Sequence, residues 1–183
     1  MKVFFAFLLL SSLLSPGIAQ TESFTHRIID TNGVSNIIFA SEKISVGMED
    51  LVNLKTTFIN GEAIWGRAYF PQSFGLYKAC HEDDFCLDLY IDDYFVQRVI
   101  QEHPESDWGQ MQVWLNNTNG DYFPLFIPTL EQAGAGSHKV TIIIGLNRFQ
   151  GTKDVAFSGG DVEKEMLFTL QPICKGTIQI ITD

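Results

Sequence analysis

The stretch from Ala79 to Asp93, ACHEDDFCLDLYIDD, holds the residues whose types and spacing most resemble a chemical site. It contains two cysteines, one histidine and six carboxylates within fifteen residues. Hard cations such as Ca²⁺ take oxygen ligands, and six or more of these must gather around one point. The loop acids that lie close enough in sequence to share an ion are Glu82, Asp83 and Asp84. The D-x-D-x-D-G pattern of a calcium loop is absent, which favours the alternative of a solvated acidic face. We therefore expect no cofactor, with Ca²⁺ as the one cation that this loop would suit.

The two cysteines of this stretch, Cys80 and Cys86, enclose five residues. Cysteines at the base of a hairpin loop of that length can lie opposite each other, and extracellular cysteines are usually oxidised. The spacing predicts a Cys80–Cys86 disulfide that closes an acidic hairpin. Cys174 is then left over, either as a buried thiol or as the true partner of one of the other two.

Motifs of catalysis are missing. The chain has no G-x-S-x-G nucleophile elbow, and HEDDF lacks the second histidine of a zincin helix. Ser137 and His138 are adjacent, but neighbouring residues of a strand point to opposite faces and do not readily share a proton. We expect a protein that is not an enzyme. An extracellular hydrolase that uses paired carboxylates is the weakest alternative, because their separation cannot be read from the sequence.

The first nineteen residues have the layout of a secretory signal peptide. Lys2 precedes an apolar run, and Gly17-Ile18-Ala19 offers small residues before a cleavage point. The alternative, a membrane anchor, is disfavoured because serines and Pro16 interrupt the run well short of the roughly 20 apolar residues a spanning helix needs. We expect cleavage after Ala19 and a single exported domain over residues 20–183, located in the periplasm, at the cell surface or in the medium.

The acidic balance of the chain restricts its partners. Its formal net charge is −10 and its isoelectric point is about 4.7. Phosphate backbones and anionic lipid surfaces would be repelled. We therefore expect no nucleic-acid partner. We also expect no membrane insertion, because no segment after the leader is long and apolar enough to span a bilayer.

The elements that must position any site are predicted to be strands. Apolar and polar residues alternate with a period of two through much of the chain. Asn-Gly pairs at 32–33, 60–61 and 119–120 suit the tight turns between antiparallel strands. The clearest strand segments are Glu62 to Phe70, Cys86 to Asp92, Met111 to Asn116, His138 to Leu146, Glu163 to Leu170 and Gly176 to Thr182. Residues 93–106 fit either a strand or a short helix, and 131–137 fit a flexible loop. The pattern predicts an all-β fold, an antiparallel two-sheet β-sandwich of immunoglobulin-like or jelly-roll-like form.

Alternation also assigns aromatic side chains to an outer face. Arg67 is charged, so its stripe on the strand is expected to face outward. Exposed aromatics with polar neighbours suit stacking on sugars or anchoring a protein. The candidate binding residues are Trp65, Arg67, Tyr69, Tyr90 and Trp114. The alternative is that the tryptophans belong to an aromatic core.

These observations favour a non-catalytic binding or assembly domain. Unpaired sheet edges, such as the segment GTIQIIT at 176–182, invite strand addition by a protein partner or by another copy of the chain. A carbohydrate-binding module that uses the aromatic residues is the alternative. Asn116 begins an N-glycosylation motif beside a turn.

Overall fold

The computed structural model describes residues 26–77, 85–100, 108–116, 122–156 and 162–183. The predicted leader lies outside them. Strands dominate, so the all-β expectation is confirmed. The elements are β1 (Ser35–Ala40), β2 (Thr57–Ile59), β3 (Ile64–Tyr69), β4 (Phe85–Ile91), β5 (Tyr94–Ile100), β6 (Gln110–Leu115), α1 (Phe126–Ala133), β7 (Gly136–Ala156) and β8 (Val162–Thr182). Short 3-10 helices lie at Glu49–Leu51 and Phe74–Leu76.

The strands form one curled mixed sheet in the order β5-β4-β7-β8-β1-β3-β6, and β2 also pairs with β8. Most neighbours are antiparallel, but β1 and β2 both run parallel to β8. The expectation of purely antiparallel pairing is therefore wrong for these two strands. The segment at 176–182 is also not an open edge, because β7 covers one side of it and β2 the other.

The hairpin of β7 and β8 is the longest feature of the sheet. Each strand has 21 residues, and they stay paired from Gly136–Thr182 to Ala156–Val162. The segments predicted as separate strands at 163–170 and 176–182 are one strand. Pro172 between them lies beside a register shift, the kind of place where a strand tolerates the missing N–H of proline.

One apolar cluster fills the inside of the curl. Alternate residues of β4, Leu87, Leu89 and Ile91, belong to it, as the period-two pattern predicts. The pattern of β6 is confirmed in the same way. Gly176 of β8 has no Cβ, and that leaves room for β1: an added Cβ would lie 2.6 Å from Phe39. The two halves of the sheet thus share a core through close contact at β1.

Local signals account for the connections. Asp92 and Asp93 both have positive φ, which closes β4 and β5 with a two-residue turn. The ambiguous segment is therefore a strand over Tyr94–Ile100, and its residues 101–106 lie outside the described residues. Gly134, with φ 88°, ends α1. The expected loop at 131–137 is wrong, because its first residues form the last turn of α1 and its last residues begin β7. The pair Asn119-Gly120 lies outside the described residues.

Candidate functional site

Four of the five predicted binding residues lie on one face of the β3–β6 pair. Trp65 is opposite Trp114 in the register, and Arg67 is opposite Gln112. Tyr69 follows on the same face of β3. Tyr90 is on β4, in the other half of the sheet. The sequence-derived set is therefore divided between two places.

The expected exposure is wrong for Arg67 and Tyr69, which are buried. The segment after β1 covers this face, and its backbone and side chains satisfy both residues. The Arg67 guanidinium donates to the Ile44 carbonyl and, at 2.8 Å, to Gln112 Oε1. The Tyr69 hydroxyl donates to Glu49 Oε1 at 2.9 Å. Arg67 can face inward despite its charge because the Ile44 carbonyl and the Gln112 side chain accept its hydrogen bonds.

The pKa shifts of Arg67, Tyr69 and Glu49 indicate a structural role for this hydrogen-bonded group. Burial lowers the pKa of Arg67 and raises the pKa of Tyr69. For Glu49, burial acts to raise the pKa, but hydrogen bonds from its own backbone N–H and from Tyr69 outweigh it, and the pKa is lowered. The lowered pKa of Glu49 and the raised pKa of Tyr69 both favour the hydrogen bond in which the phenol donates to a charged carboxylate.

The two tryptophans keep part of their surface. Trp65 and Trp114 are half-buried, with ring centroids 5.9 Å apart and planes at 47°. Tyr122 packs on Trp114, with ring centroids 4.4 Å apart and ring planes at 52°. Because all these rings are tilted against one another, they form a packed cluster and not one flat platform for a sugar ring.

Tyr90 belongs to a second polar group, on the face of β4 that points away from the core. Asp88 lies two residues before it on the same face of β4 and is completely buried, although its charge and the alternation of this strand favour a solvated position. Arg98 of β5 donates to both Asp88 oxygens, each at 2.7 Å, and to Asn147 Oδ1 at 3.1 Å. Burial, followed by the charge of Asp88, raises the pKa of Tyr90. The ion pair of Asp88 and Arg98 joins β4 to β5 on this face, and the hydrogen bond from Arg98 to Asn147 adds β7.

The acidic loop with Glu82, Asp83 and Asp84 lies outside the described residues, as does Cys80, so the metal site and the Cys80–Cys86 disulfide stay predictions. Within the described ranges no group of three or more His, Cys, Asp or Glu side chains is placed to hold a metal ion. No disulfide joins the two cysteines that these ranges contain, Cys86 and Cys174, and both are buried. The Cys174 thiol donates to the Asn36 carbonyl, and burial raises its pKa.

Among the described residues, His26 pairs with Asp50 and His138 pairs with Asp92. The second pair resembles part of a catalytic triad because Ser137 is next to it in the sequence. His138 Nδ1 lies 2.8 Å from Asp92 Oδ2, but its Nε2 lies 3.0 Å from the Gly134 carbonyl. Ser137 Oγ donates to Gln179 and does not serve the histidine. Both ring nitrogens face acceptors, so the hydrogen bonds to Asp92 and Gly134 raise the pKa of His138. The His138–Asp92 pair joins the β4–β5 turn to the start of β7, and we call this pair the clasp.

A surface that the sequence did not indicate is the outer part of the β7–β8 hairpin. We call residues 147–156 and 162–170 the arm. Pairing of β7 with β4 ends at Leu146, and pairing of β8 with β1 begins at Cys174. Among the residues that the structure describes, no strand pairs with either outer edge of the arm. Nine paired positions give it a length of about 30 Å at roughly 3.3 Å per residue.

The arm carries apolar surface on its β8 strand. Leu167 and Phe168 are 37% and 41% exposed. Its two edges differ. Gln150 is an extra residue in β7, a bulge between Phe149 and Gly151, whereas β8 pairs without interruption from Val162 to Leu170. The signal available in the sequence was the alternation of 163–170 after the glycine pair 159–160, which is typical of a turn; nothing in the sequence indicated whether a strand would pair with it.

β5 is another edge strand, with exposed Tyr94, Phe95 and Ile100. A groove of about 420 Å³ runs between β5 and α1. The side-chain oxygen of Gln97 on β5 accepts from the Leu125 amide at the start of α1. This edge is thus partly tied to the helix, unlike the arm.

Comparison with known proteins adds no relative: no family model matches the chain, and no curated protein or solved structure is significantly similar to it. In the parts of the chain described here, no helix has the length and apolar character needed to cross a membrane.

Proposed function

We propose that residues 20–183 are an exported, non-catalytic β domain that binds another protein chain by strand addition along the arm. The observation that carries the proposal is a two-stranded ribbon whose outer edges have no partner strand among the described residues. Such edges offer unpaired N–H and C=O groups to an extended chain. Export is supported by the leader pattern at 1–19, and a non-catalytic role by the lack of catalytic motifs in the sequence.

Without a partner strand, the arm is a ribbon of only two strands. A two-stranded hairpin alone is marginally stable in water, and a third strand makes the sheet independently stable. Natural edges are usually protected by bulges, prolines or charges. The β7 edge has its bulge at Gln150, whereas β8 has neither a bulge nor a proline between Val162 and Leu170. Its charges are confined to residues 163–165, and the uncharged residues that follow include the exposed Leu167 and Phe168. An edge of this kind suits a partner strand.

Affinity capture with quantitative mass spectrometry tests this. The mature chain, Leu167→Lys and Ile181→Lys would be used as baits on the extracellular or envelope fraction of the source organism. Ile181 is a matched control, because it lies on the same strand with 42% exposure but between paired neighbours. Leu167→Lys should lose the proteins that wild type and Ile181→Lys retain. Equal recovery by all three would rule out the arm as the binding surface.

We also propose that the curled sheet acts as a two-layer sandwich, of the immunoglobulin-like or jelly-roll-like kind. Its support is that β3 and β6 from one end of the sheet and β4 and β7 from the other contribute to one core cluster. Residues of both layers would then unfold together. Hydrogen exchange that protects β6 and β4 to the same free energy is the expected result; separate opening would contradict it.

A carbohydrate-binding role is the second candidate, and the surface that Trp65 and Trp114 each keep exposed favours it. The surface left on these half-buried rings would take one sugar face. Trp114→Phe should then weaken glycan-array signals while Leu167→Lys leaves them intact. An array without signal for the wild-type chain would remove this candidate.

A further inference from the structure

We propose that the strand which the arm accepts comes from a second copy of this chain, so that two β8 strands pair antiparallel about a twofold axis at Leu167. This rests on the proposed function of the arm and names its partner. The result is a four-stranded ribbon in the order β7-β8-β8-β7, shared by two copies. The binding partner of each arm is thus the arm of the other copy.

The choice of edge follows from backbone regularity. Strand pairing needs consecutive N–H and C=O groups in register, and the bulge at Gln150 breaks that series on β7. On β8 the series is regular from Val162 to Leu170, and Pro172, which has no N–H, ends it. The free stretch is about ten residues long, the upper end of ordinary strand lengths.

The charge of the arm favours a second copy. Residues 147–170 contain three basic and four acidic residues, so they carry −1 of the chain's −10. Two arms can therefore meet with little repulsion, whereas most other pairs of surfaces would bring two acidic bodies together. Antiparallel pairing about Leu167 also places the rest of each copy at opposite ends of the shared ribbon. That separation is about 30 Å, three or more Debye lengths at physiological salt.

The register about Leu167 is self-complementary. A twofold axis perpendicular to a sheet requires a residue to lie opposite itself, so Leu167 meets Leu167 of the second copy on one face. On the other face the two Phe168 rings become diagonal neighbours, a distance that aromatic side chains span. Lys164 then lies opposite Leu170, so two lysines are not opposed. Both exposed apolar residues of the arm are covered at once.

Light scattering on the purified mature chain after size exclusion tests the proposal over concentrations from about 1 to 500 μM. Wild type and Ile181→Lys should approach twice the monomer mass as concentration rises. Leu167→Lys opposes two ammonium groups on the axis and should raise the dimer dissociation constant about 100-fold, given the several kcal/mol that juxtaposed like charges cost. A dimer that persists in Leu167→Lys would place the interface elsewhere and overturn the proposal.

Cross-linking gives a readout that does not depend on a new charge. Because Leu167 lies opposite itself, Leu167→Cys should form an intermolecular disulfide under mild oxidation, and wild type and Ile181→Cys should not. This variant decides the matter should Leu167→Lys fail to fold. A wild-type chain that is monomeric throughout and a Leu167→Cys chain that does not cross-link would overturn self-pairing. If Leu167→Lys nevertheless loses captured proteins, the proposed binding function stands with a different partner; if capture is also unchanged, both fail.

Discussion

The buried ion pair of Asp88 and Arg98 leads to a quantitative prediction. Asp88 is fully buried, and the fork of Arg98 donates to both of its oxygens at 2.7 Å. The same hydrogen bonds raise the pKa of Arg98, so the guanidinium stays charged at every accessible pH. Arg98→Met keeps the aliphatic stem but removes the donors, and it leaves a carboxylate in the interior with only a long contact of 3.4 Å to the Tyr90 hydroxyl.

The size of the effect follows from that arrangement. Removing one member of a buried pair costs about 3–5 kcal/mol, because the remaining charge has no compensation. The Arg98 side chain is 32% exposed, so water can reach the vacated space and the lower end, about 3 kcal/mol, applies. For a chain of this length that corresponds to a melting temperature lower by about 6–12 °C. The double variant Asp88→Leu/Arg98→Met should recover most of the loss, since replacing both charges by apolar groups is often neutral.

Urea unfolding followed by circular dichroism would measure these free energies. Arg148→Met is the matched control, because Arg148 Nε donates to Gln171 at 2.8 Å on an exposed part of the sheet. It should cost less than about 1 kcal/mol. A loss for Arg98→Met no greater than that of the control would show that Asp88 is not held as a buried charge, and the reasoning would fail.

Two further predictions concern the clasp and the close approach of β1. Asp92 and His138 stabilise each other: hydrogen bonding to Asp92 raises the pKa of His138 above 6.5, and hydrogen bonding from His138 lowers the pKa of Asp92 below 3.8. The free energy of urea unfolding of wild type should therefore exceed that of His138→Asn by the largest amount between pH 3.8 and pH 6.5. That difference should shrink as pH rises through the folded pKa of His138 and as pH falls through that of Asp92, and a pH-independent difference would contradict the assignment. Gly176→Ala puts a Cβ 2.6 Å from Ile37 and Phe39 and should cost about 1–3 kcal/mol by the same assay; an unchanged midpoint would mean that β1 can move away freely.

Period-two alternation predicted most strands because each buries one face against a single core. The segments around Leu87 and Val113 matched β4 and β6 to within a residue or two, and their apolar residues are in the core. Parallel pairing of β1 and β2 with β8 could not be predicted, because it joins residues more than a hundred positions apart without any local signal. Helix α1 was missed because Gly134 and its small neighbours suggested a loop, although Gly134 is its C-terminal cap.

The candidate surface was harder to predict than the strands. Arg67 was assigned outward by its charge, a rule that fails when another segment supplies acceptors, here the Ile44 carbonyl. Trp65 and Trp114 were each recognised as notable, but their tilted contact depends on the β3–β6 register. The arm escaped detection because a strand reads the same in sequence whether or not a neighbour pairs with it.

The position of β7 and β8 has a consequence for how this chain is made. They lie at the centre of the sheet, yet they follow every other strand in the order of synthesis. Strands β1, β3 and β6 pair with one another and β4 pairs with β5, but these two groups are joined only through β7 and β8, so completion of the sheet depends on long-range contacts made by the strands synthesised last. The two groups of strands can therefore close into one sheet only after the last hairpin has been synthesised, an order that is compatible with the export proposed above.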